Sequence, residues 1–345
     1  MTAWLFVAWV VLGAPAITLA AGTYLSYAFP ITGDEVFIVA AGILILAYAV
    51  NLRGIRLSGR VHVAVVALII GILTLAVIAS SPGIRFSNFS PALPFGAASV
   101  GVAAALIVWS YLGYENVSNI TEEFENPHRD FGKSVTITVL YLAVAFTVVG
   151  TGAYSTGGEV TPFAEMMSNL FGTSGSIVVS LFAVVIIFST VNAYTVGMAR
   201  VVYAAALDRS LPRFLVVIDP KTGAPRRALI ALFGMVMLSL TVFFVIHIDI
   251  ESAFLATSGA AILTYVIGSA SGVRLLGYQG SRKLTPLLSL GVSLAIMPLI
   301  GGLLVISLAV ALLGFLYGHY VSVKSGRATG EQRLASSCSS HILAR

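Results

Sequence analysis

A run of aromatic, polar and acidic residues interrupts an apolar stretch, and these residue types could bind a small molecule. The run reads Trp109-Ser110-Tyr111-Leu112-Gly113-Tyr114-Glu115-Asn116 and follows the apolar residues 100–108. Polar groups and a carboxylate are costly in lipid, and they are tolerated where the backbone unwinds against a cavity or another part of the protein. Freed carbonyls and half-helix ends of such discontinuous helices bind charged groups of small substrates. We therefore predict a broken helix with a substrate site, with Trp109 and Tyr111 near a central cavity.

Each member of this run also has a purely structural interpretation. Trp109 is as consistent with an interface anchor or packing residue as with a substrate contact, and Gly113 is as consistent with a close helix contact as with a functional break. Glu115 is a functional candidate because it is an intramembrane carboxylate. At 1.5 Å per residue, however, it lies only about 10 Å from Glu122 if the segment is helical, so a position at the membrane interface stays open.

A second polar run, residues 189–195 (STVNAYT), lies in the middle of a later apolar stretch. Ser189, Thr190 and Asn192 are candidates for a cation site or another polar site. The alternative is that the hydroxyls bond back to their own helix. No zinc-binding His-Glu-x-x-His, nucleophile elbow, P-loop or pair of mid-span aspartates is present in the sequence. The sequence therefore predicts neither an enzyme nor a metal or cofactor site.

The elements that hold these residues are predicted to be membrane spans. The sequence is 58% hydrophobic and 10% charged, with a mean hydropathy of +0.98, whereas soluble domains carry roughly a quarter charged residues. Because a spanning helix needs about 20 apolar residues, we predict an all-α polytopic membrane protein with about ten transmembrane helices. The predicted spans are 3–29, 36–52, 61–80, 97–121, 131–155, 174–206, 227–247, 251–276, 284–299 and 301–320.

The charge distribution predicts the orientation of these spans. Of the 19 Lys and Arg residues, only Arg85 falls on one side; the other 18 lie in the loops, the tail or the helix ends of the opposite side. Positive residues mark the cytoplasmic side, so we expect a multi-pass inner-membrane protein with both termini in the cytoplasm. The transmembrane domain should comprise residues 1–323, followed by a disordered polar tail, 324–345. The net charge of +5 comes from short clusters between apolar runs, so no nucleic-acid partner is expected.

Several motifs resemble the amino acid–polyamine–organocation superfamily of transporters, and the likeness extends to about residue 320. The sequence is most similar to bacterial antiporters and exporters of neutral or branched-chain amino acids and methionine. The matching segments are residues 22–27 (GTYLSY), 51–54 (NLRG), 109–115 (WSYLGYE), 123–127 (EFENP) and 200–212 (RVVYAAALDRSLP).

The resemblance implies a LeuT-type bundle of two inverted repeats and assigns roles to single residues. It implies that Trp109 stacks on the substrate and gates it, and that the Ser110-to-Gly113 backbone contacts the substrate amine. It further implies that Glu115 takes part in pH sensing or proton coupling, and that Tyr194 closes the site from below. The arginine/agmatine antiporter has an asparagine where this chain has Ala14, which favours an apolar substrate side chain.

The resemblance starts at the family's third helix, so the glycine-rich interrupted first helix has no counterpart in this sequence. In relatives that helix binds the substrate carboxylate. The first basic residue is Arg53, which fits a chain whose true start lies upstream. We therefore expect helices three to twelve of a twelve-helix carrier, half of a substrate site, and no amino acid binding by this chain alone.

These features predict secondary transport, as export or exchange, of small neutral amino acids such as branched-chain amino acids or methionine by alternating access. The expected partners are the amino acid, the lipid bilayer and a proton, and a homodimer is left open. The alternative is a non-transporting truncated membrane protein or scaffold that lacks half of the substrate site.

Overall fold

The computed structural model describes residues 2–31, 33–54, 59–91, 96–111, 139–153, 161–275 and 284–321. In these ranges the regular structure is helical throughout. The helices are α1 (Thr2–Ala28), α2 (Gly33–Leu52), α3 (Gly59–Ser80), α4 (Ala97–Tyr111), α5 (Val139–Thr151), α6 (Pro162–Leu207), α7 (Arg226–Val245), α8 (Ile250–Leu275), α9 (Leu284–Ile296) and α10 (304–321). Short 3-10 turns lie in several of the connections.

The lengths and compositions of these helices confirm the prediction of an all-α, multi-pass membrane protein. Seven helical stretches within the described ranges are long and apolar enough to cross a membrane, and the last of them contains both α9 and α10. The described parts of α4 and α5 are shorter apolar helices. Many of the exposed side chains are large and apolar, such as Ile38, Leu142 and Leu238, as expected of surfaces that face lipid.

Two glycines with a positive φ angle break the longest helical stretches. Gly172 (φ 64°) divides α6 into a short segment, 162–171, and a long one, 173–207. Gly301 (φ 67°) lies in the 3-10 turn between α9 and α10, where the sequence predicted two separate spans. Residues other than glycine rarely adopt this left-handed conformation, so each break depends on its glycine.

The segment 162–171 is helical, although the sequence predicted a loop over residues 156–173, between the predicted spans 131–155 and 174–206. It begins with Pro162, a favoured residue in the first helical turn, and its Met166 and Met167 are buried. They belong to a cluster that also contains Ala76 of α3 and Val179 of α6. The segment is only ten residues long, and isolated helices of that length are marginal. Its formation therefore depends on tertiary packing.

Helix α1 lies at the centre of the largest core, between α2, α6, α7 and α8. Small residues allow close approach in this core: a Cβ added to Gly22 would lie 2.7 Å from Cγ1 of Val36 on α2. One buried polar contact crosses the same core, since the Asn51 amide on α2 donates to Oδ1 of Asn192 on α6 at 2.8 Å. Small residues and interhelical hydrogen bonds are the usual means of joining helices in a membrane.

Candidate functional site

The candidate site is a cavity of about 280 Å³ among α1, α4, α5 and α6. It lies near the middle of α1 and of the long segment of α6, so it is at about half the depth of the bundle. The described residues that line it are Trp9, Val10, Gly13, Ala14, Ile17, Trp109, Tyr141, Thr190, Val191 and Tyr194. None of these side chains carries a charge at neutral pH. The walls are therefore apolar and aromatic, with a few hydroxyl groups.

One face of α1 forms the largest share of the wall. Trp9, Val10, Gly13, Ala14 and Ile17 are spaced i, i+1, i+4, i+5 and i+8, which places them on one side of a helix. Pro15 lies within this helix and has no amide hydrogen for the carbonyl of the preceding turn. The face thus combines the bulky ring of Trp9 at one end with the small residues Gly13 and Ala14 in the middle.

The indole of Trp109 packs on the smallest of these residues. A Cβ added to Gly13 would lie 2.8 Å from Cη2 of Trp109 and 3.0 Å from Cγ2 of Thr257. On another side the indole contacts Phe254 of α8, with ring centroids 5.1 Å apart and planes tilted by 40°. Trp109 thus lies between α1 and α8 and also lines the cavity.

The α6 wall consists of Thr190, Val191 and Tyr194, again one face of a helix. The Thr190 hydroxyl donates to the carbonyl of Ile186 at 2.9 Å, so it bonds to its own helix as the structural interpretation predicted. The Tyr194 ring meets Trp9 edge-on, with centroids 6.2 Å apart and planes at 78°, which is a favourable aromatic geometry. Trp9 is also the described α1 lining residue nearest the start of that helix.

The structure brings four of the predicted site residues to the cavity wall: Trp109, Ala14, Tyr194 and Thr190. Ser110 and Tyr111 belong to the backbone of α4. Gly113 and Glu115 lie outside the described residues, as does the rest of the predicted break.

The predicted polar site of Ser189, Thr190 and Asn192 does not converge at the cavity. Asn192 is 3% exposed and pairs with Asn51 on α2. The Asn51 amide also donates to the carbonyl of Ala47 at 2.8 Å. Ser189 is not among the described residues of the wall. At 3.6 residues per turn, Thr190 points about 100° away from Ser189 and about 160° away from Asn192, so the three residues do not share one face of α6.

The sequence interpretation missed six of the described cavity residues, which are Trp9, Val10, Gly13, Ile17, Tyr141 and Val191. For Trp9 and Ile17 the signal was present, since both lie on the α1 face that contains Gly13 and Ala14. Trp9 is 4% exposed, so its burial alone does not distinguish it from any other core residue. Tyr141 lies near the start of α5 and reaches the site only through the arrangement of the helices in space.

Two carboxylates outside the spans stabilise local backbone structure, one at the start of α8 and one in the loop before α7. Asp249 precedes α8, and its side chain accepts hydrogen bonds from the Ser252 amide at 2.8 Å and the Ser252 hydroxyl at 2.7 Å. These bonds lower the pKa of Asp249. Asp219 accepts the amides of Lys221 and Thr222, which lower its pKa in the same way. Both carboxylates fix local structure away from the cavity.

Comparison with known proteins places the chain in a family. Residues 1–327 match the family model described as amino acid permease. Similar proteins include the Uncharacterized amino acid permease YecA of Bacillus subtilis, which is 29% identical over 79% of this chain and 66% of its own length. The L-methionine/branched-chain amino acid exporter YjeH of Escherichia coli is 24% identical over 82% of this chain and 68% of its own length.

A third relative, the Branched-chain amino acid permease BcaP of Bacillus subtilis, is 27% identical over 61% of this chain and 45% of its own length. The chain thus spans about two-thirds or less of the length of these relatives. The match confirms the predicted resemblance, and permeases are a family of transporters rather than of enzymes. With an all-helical membrane bundle and a family match over nearly its whole length, the chain belongs to the amino acid permease family.

Proposed function

We propose that the protein is a secondary transporter of small neutral amino acids with apolar side chains, such as methionine and the branched-chain amino acids. The observation that carries this proposal is the central cavity. Its volume of about 280 Å³ is close to the roughly 300 Å³ at the lower end of small-molecule pockets. It therefore suits one small molecule.

The chemistry of the wall supports a substrate without a charged side chain. The described lining residues offer hydroxyls of Tyr141, Thr190 and Tyr194 but no acid or base. An unpaired charge is costly in such surroundings, so a cationic or acidic side chain would be disfavoured. An aliphatic or thioether side chain gains from contact with the rings of Trp9 and Trp109 and with the small wall at Ala14.

The relatives give independent support for this substrate class. Two of them are named as a methionine and branched-chain exporter and as a branched-chain permease. We further propose export or exchange across the inner membrane by alternating access, with the basic loops and both termini in the cytoplasm. Coupling to a proton through Glu115 is part of the same proposal.

The direct test is transport by the protein as its cell makes it. Cells with the intact gene and cells with the disrupted gene are loaded with labelled methionine, leucine, arginine or glutamate, and influx and efflux are followed. We expect disruption to slow the movement of methionine or leucine and to leave arginine and glutamate unchanged. If no amino acid moves differently, the proposed transport is wrong and the non-transporting alternative gains support.

A matched pair of variants ties transport to the cavity. Ala14→Leu adds three carbon atoms inside the cavity, whereas Ala103→Leu adds them on the exposed surface of α4. We expect the first variant to lower the transport rate at least tenfold at wild-type expression, and the second to transport normally. Equal transport by both variants would show that the substrate binds elsewhere.

A further inference from the structure

We propose that Trp9 is the partition between the central cavity and a second cavity that leads to the side of the basic loops. The second cavity has a volume of about 380 Å³. The described residues around it come from α1, α8 and α9 and are Thr2, Phe6, Trp9, Ala261, Thr264, Tyr265, Gly268, Ser269 and Ser289. Among the described lining residues, Trp9 alone belongs to both cavities.

The direction from one cavity to the other follows from the course of the helices. Along α1, the second cavity uses residues 2–9 and the central cavity residues 9–17. The start of α1 lies beside the basic loop after α6, because the Trp4 indole donates to the carbonyl of Ser210 at 3.0 Å. On α8 the second cavity uses residues 261–269, toward the end that carries Arg274. The second cavity is thus nearer the basic side.

Aromatic contacts join the two cavities through Trp9. Its ring lies 5.3 Å from the ring of Phe6, which lines the second cavity, and 6.2 Å from that of Tyr194, which lines the central one. Small buried residues of α8, Ala260 and Ala261, pack in the same cluster. Because the residues beside it are so small, the indole fills the space between the cavities, and its removal would connect them.

Both cavities combine a mostly apolar wall with several hydroxyl groups. In the second cavity, the hydroxyls of Ser269 and Ser289 lie 2.8 Å apart. A substrate moving between the centre and the basic side would pass Trp9, and Tyr194 would keep its edge contact only while the indole stays in place. Trp9 is thus a positioning residue for Tyr194 and the barrier on this route.

The test measures access rather than transport. In a cysteine-free background, a cysteine at Ala14 reports on the central cavity, and a cysteine at Gly268, where an added Cβ meets nothing within 4 Å, reports on the second. Vesicles that expose the basic-loop side receive an impermeant thiol reagent. With Trp9 intact, the cysteine at 268 should react and the one at 14 should be protected. In Trp9→Ala, the cysteine at 14 should react at least tenfold faster, and the one at 268 at an unchanged rate.

Two further variants distinguish a barrier from a general packing role. Trp4 lies on the same helix, packs on Tyr317 and is not among the described lining residues of either cavity. Trp4→Ala should therefore leave the cysteine at 14 protected. Trp9→Phe keeps a ring and should give an intermediate rate, and it also serves if the alanine variant fails to fold. Equal reactivity at 14 with and without the indole, or an equal increase in Trp4→Ala, would overturn the proposal.

A transport measurement then links the partition to the proposed function, on which this second part rests. In cells, Trp9→Ala should raise the passive leak of labelled methionine severalfold relative to Trp4→Ala. If the access pattern holds but neither protein moves an amino acid, the partition stands and the proposed function fails. If transport occurs and access at position 14 is indifferent to Trp9, the partition is wrong and the function stands.

Discussion

The contact between Gly13 and Trp109 allows a quantitative test of the cavity. In Gly13→Ala the new Cβ would lie 2.8 Å from Cη2 of Trp109, whereas carbon atoms prefer a separation of about 3.5–4.0 Å. Retreat is blocked on the other side by the Thr257 methyl at 3.0 Å. Thr257 is fully buried, and its hydroxyl donates to the Ala253 carbonyl at 2.9 Å. The indole must therefore move toward the cavity by roughly 0.7 Å or more.

The expected cost follows from two opposing effects. Gly→Ala in a helix interior stabilises by about 0.5–1 kcal/mol, and overpacking a filled site costs about 1–3 kcal/mol. Gly42→Ala on α2 is the control, because an added Cβ there meets nothing within 4 Å and only the helix effect remains. Gly13→Ala should therefore be about 1–3 kcal/mol less stable than Gly42→Ala. If the displaced indole made substrate binding less favourable by only about 1 kcal/mol, the affinity would fall about fivefold.

Thermal unfolding in detergent and fluorescence of Trp109 measure these effects. The chain contains three tryptophans, so replacing Trp4 and Trp9 by Phe in both proteins isolates the signal of Trp109. Its quenching by acrylamide should change in Gly13→Ala and not in Gly42→Ala. If the two variants gain stability equally and Trp109 is quenched alike, the indole does not pack on Gly13, and this part of the cavity wall is wrong.

Three further predictions concern other parts of the chain. In a cysteine-free background, an impermeant reagent applied outside cells should label a cysteine at Asp34 but not one at Lys221, and the reverse pattern would invert the topology. Asp249→Ala should cost about 1 kcal/mol at pH 7 by loss of the helix cap, with Asp249→Asn as the capped control. Hydrogen bonding lowers the pKa of Asp249, so the stability difference between wild type and Asp249→Ala should be present above about pH 4. It should vanish as the pH falls through the folded-state pKa of Asp249, and a pH-independent stability difference would contradict the cap. Glu165 is 6% exposed, and its Oε2 has no hydrogen-bond partner among the described residues, so Glu165→Met should raise the unfolding temperature by an amount worth about 1 kcal/mol. A lower unfolding temperature would reveal a partner for this carboxylate.

The membrane fold and many of the helix bounds could be predicted from the sequence because lipid imposes a local constraint. Each span must satisfy its own backbone hydrogen bonds and present apolar side chains over about 20 residues. For this reason the stretches around α1, α2 and α7 are visible in composition alone. The segment 162–171 was missed because an apolar stretch of ten residues is too short to indicate a helix by itself. Its helix depends on the packing of Met166 and Met167 in a cluster with α3.

The candidate site was only half visible in the sequence. Trp109 was identified because a polar run in an apolar stretch is unusual wherever it occurs, and Ala14 and Tyr194 because they match a known family. A tryptophan in an apolar helix is ordinary, so the one sequence signal for Trp9 is its place on the α1 face that contains Gly13 and Ala14. Its importance comes from two cavities that meet at its ring, and they form only when α1, α6 and α8 pack together.

Asn192 shows the same division between local and long-range information. The sequence identifies it as a polar residue in a span, which must find a partner because an unsatisfied amide in an apolar interior is costly. It does not say whether that partner is a substrate, a cation or another helix. The answer, Asn51 at 2.8 Å, lies 141 residues away in the sequence. Composition thus determined that this chain crosses a membrane and where its unusual residues lie, whereas the packing of distant helices decided which of them face the cavity.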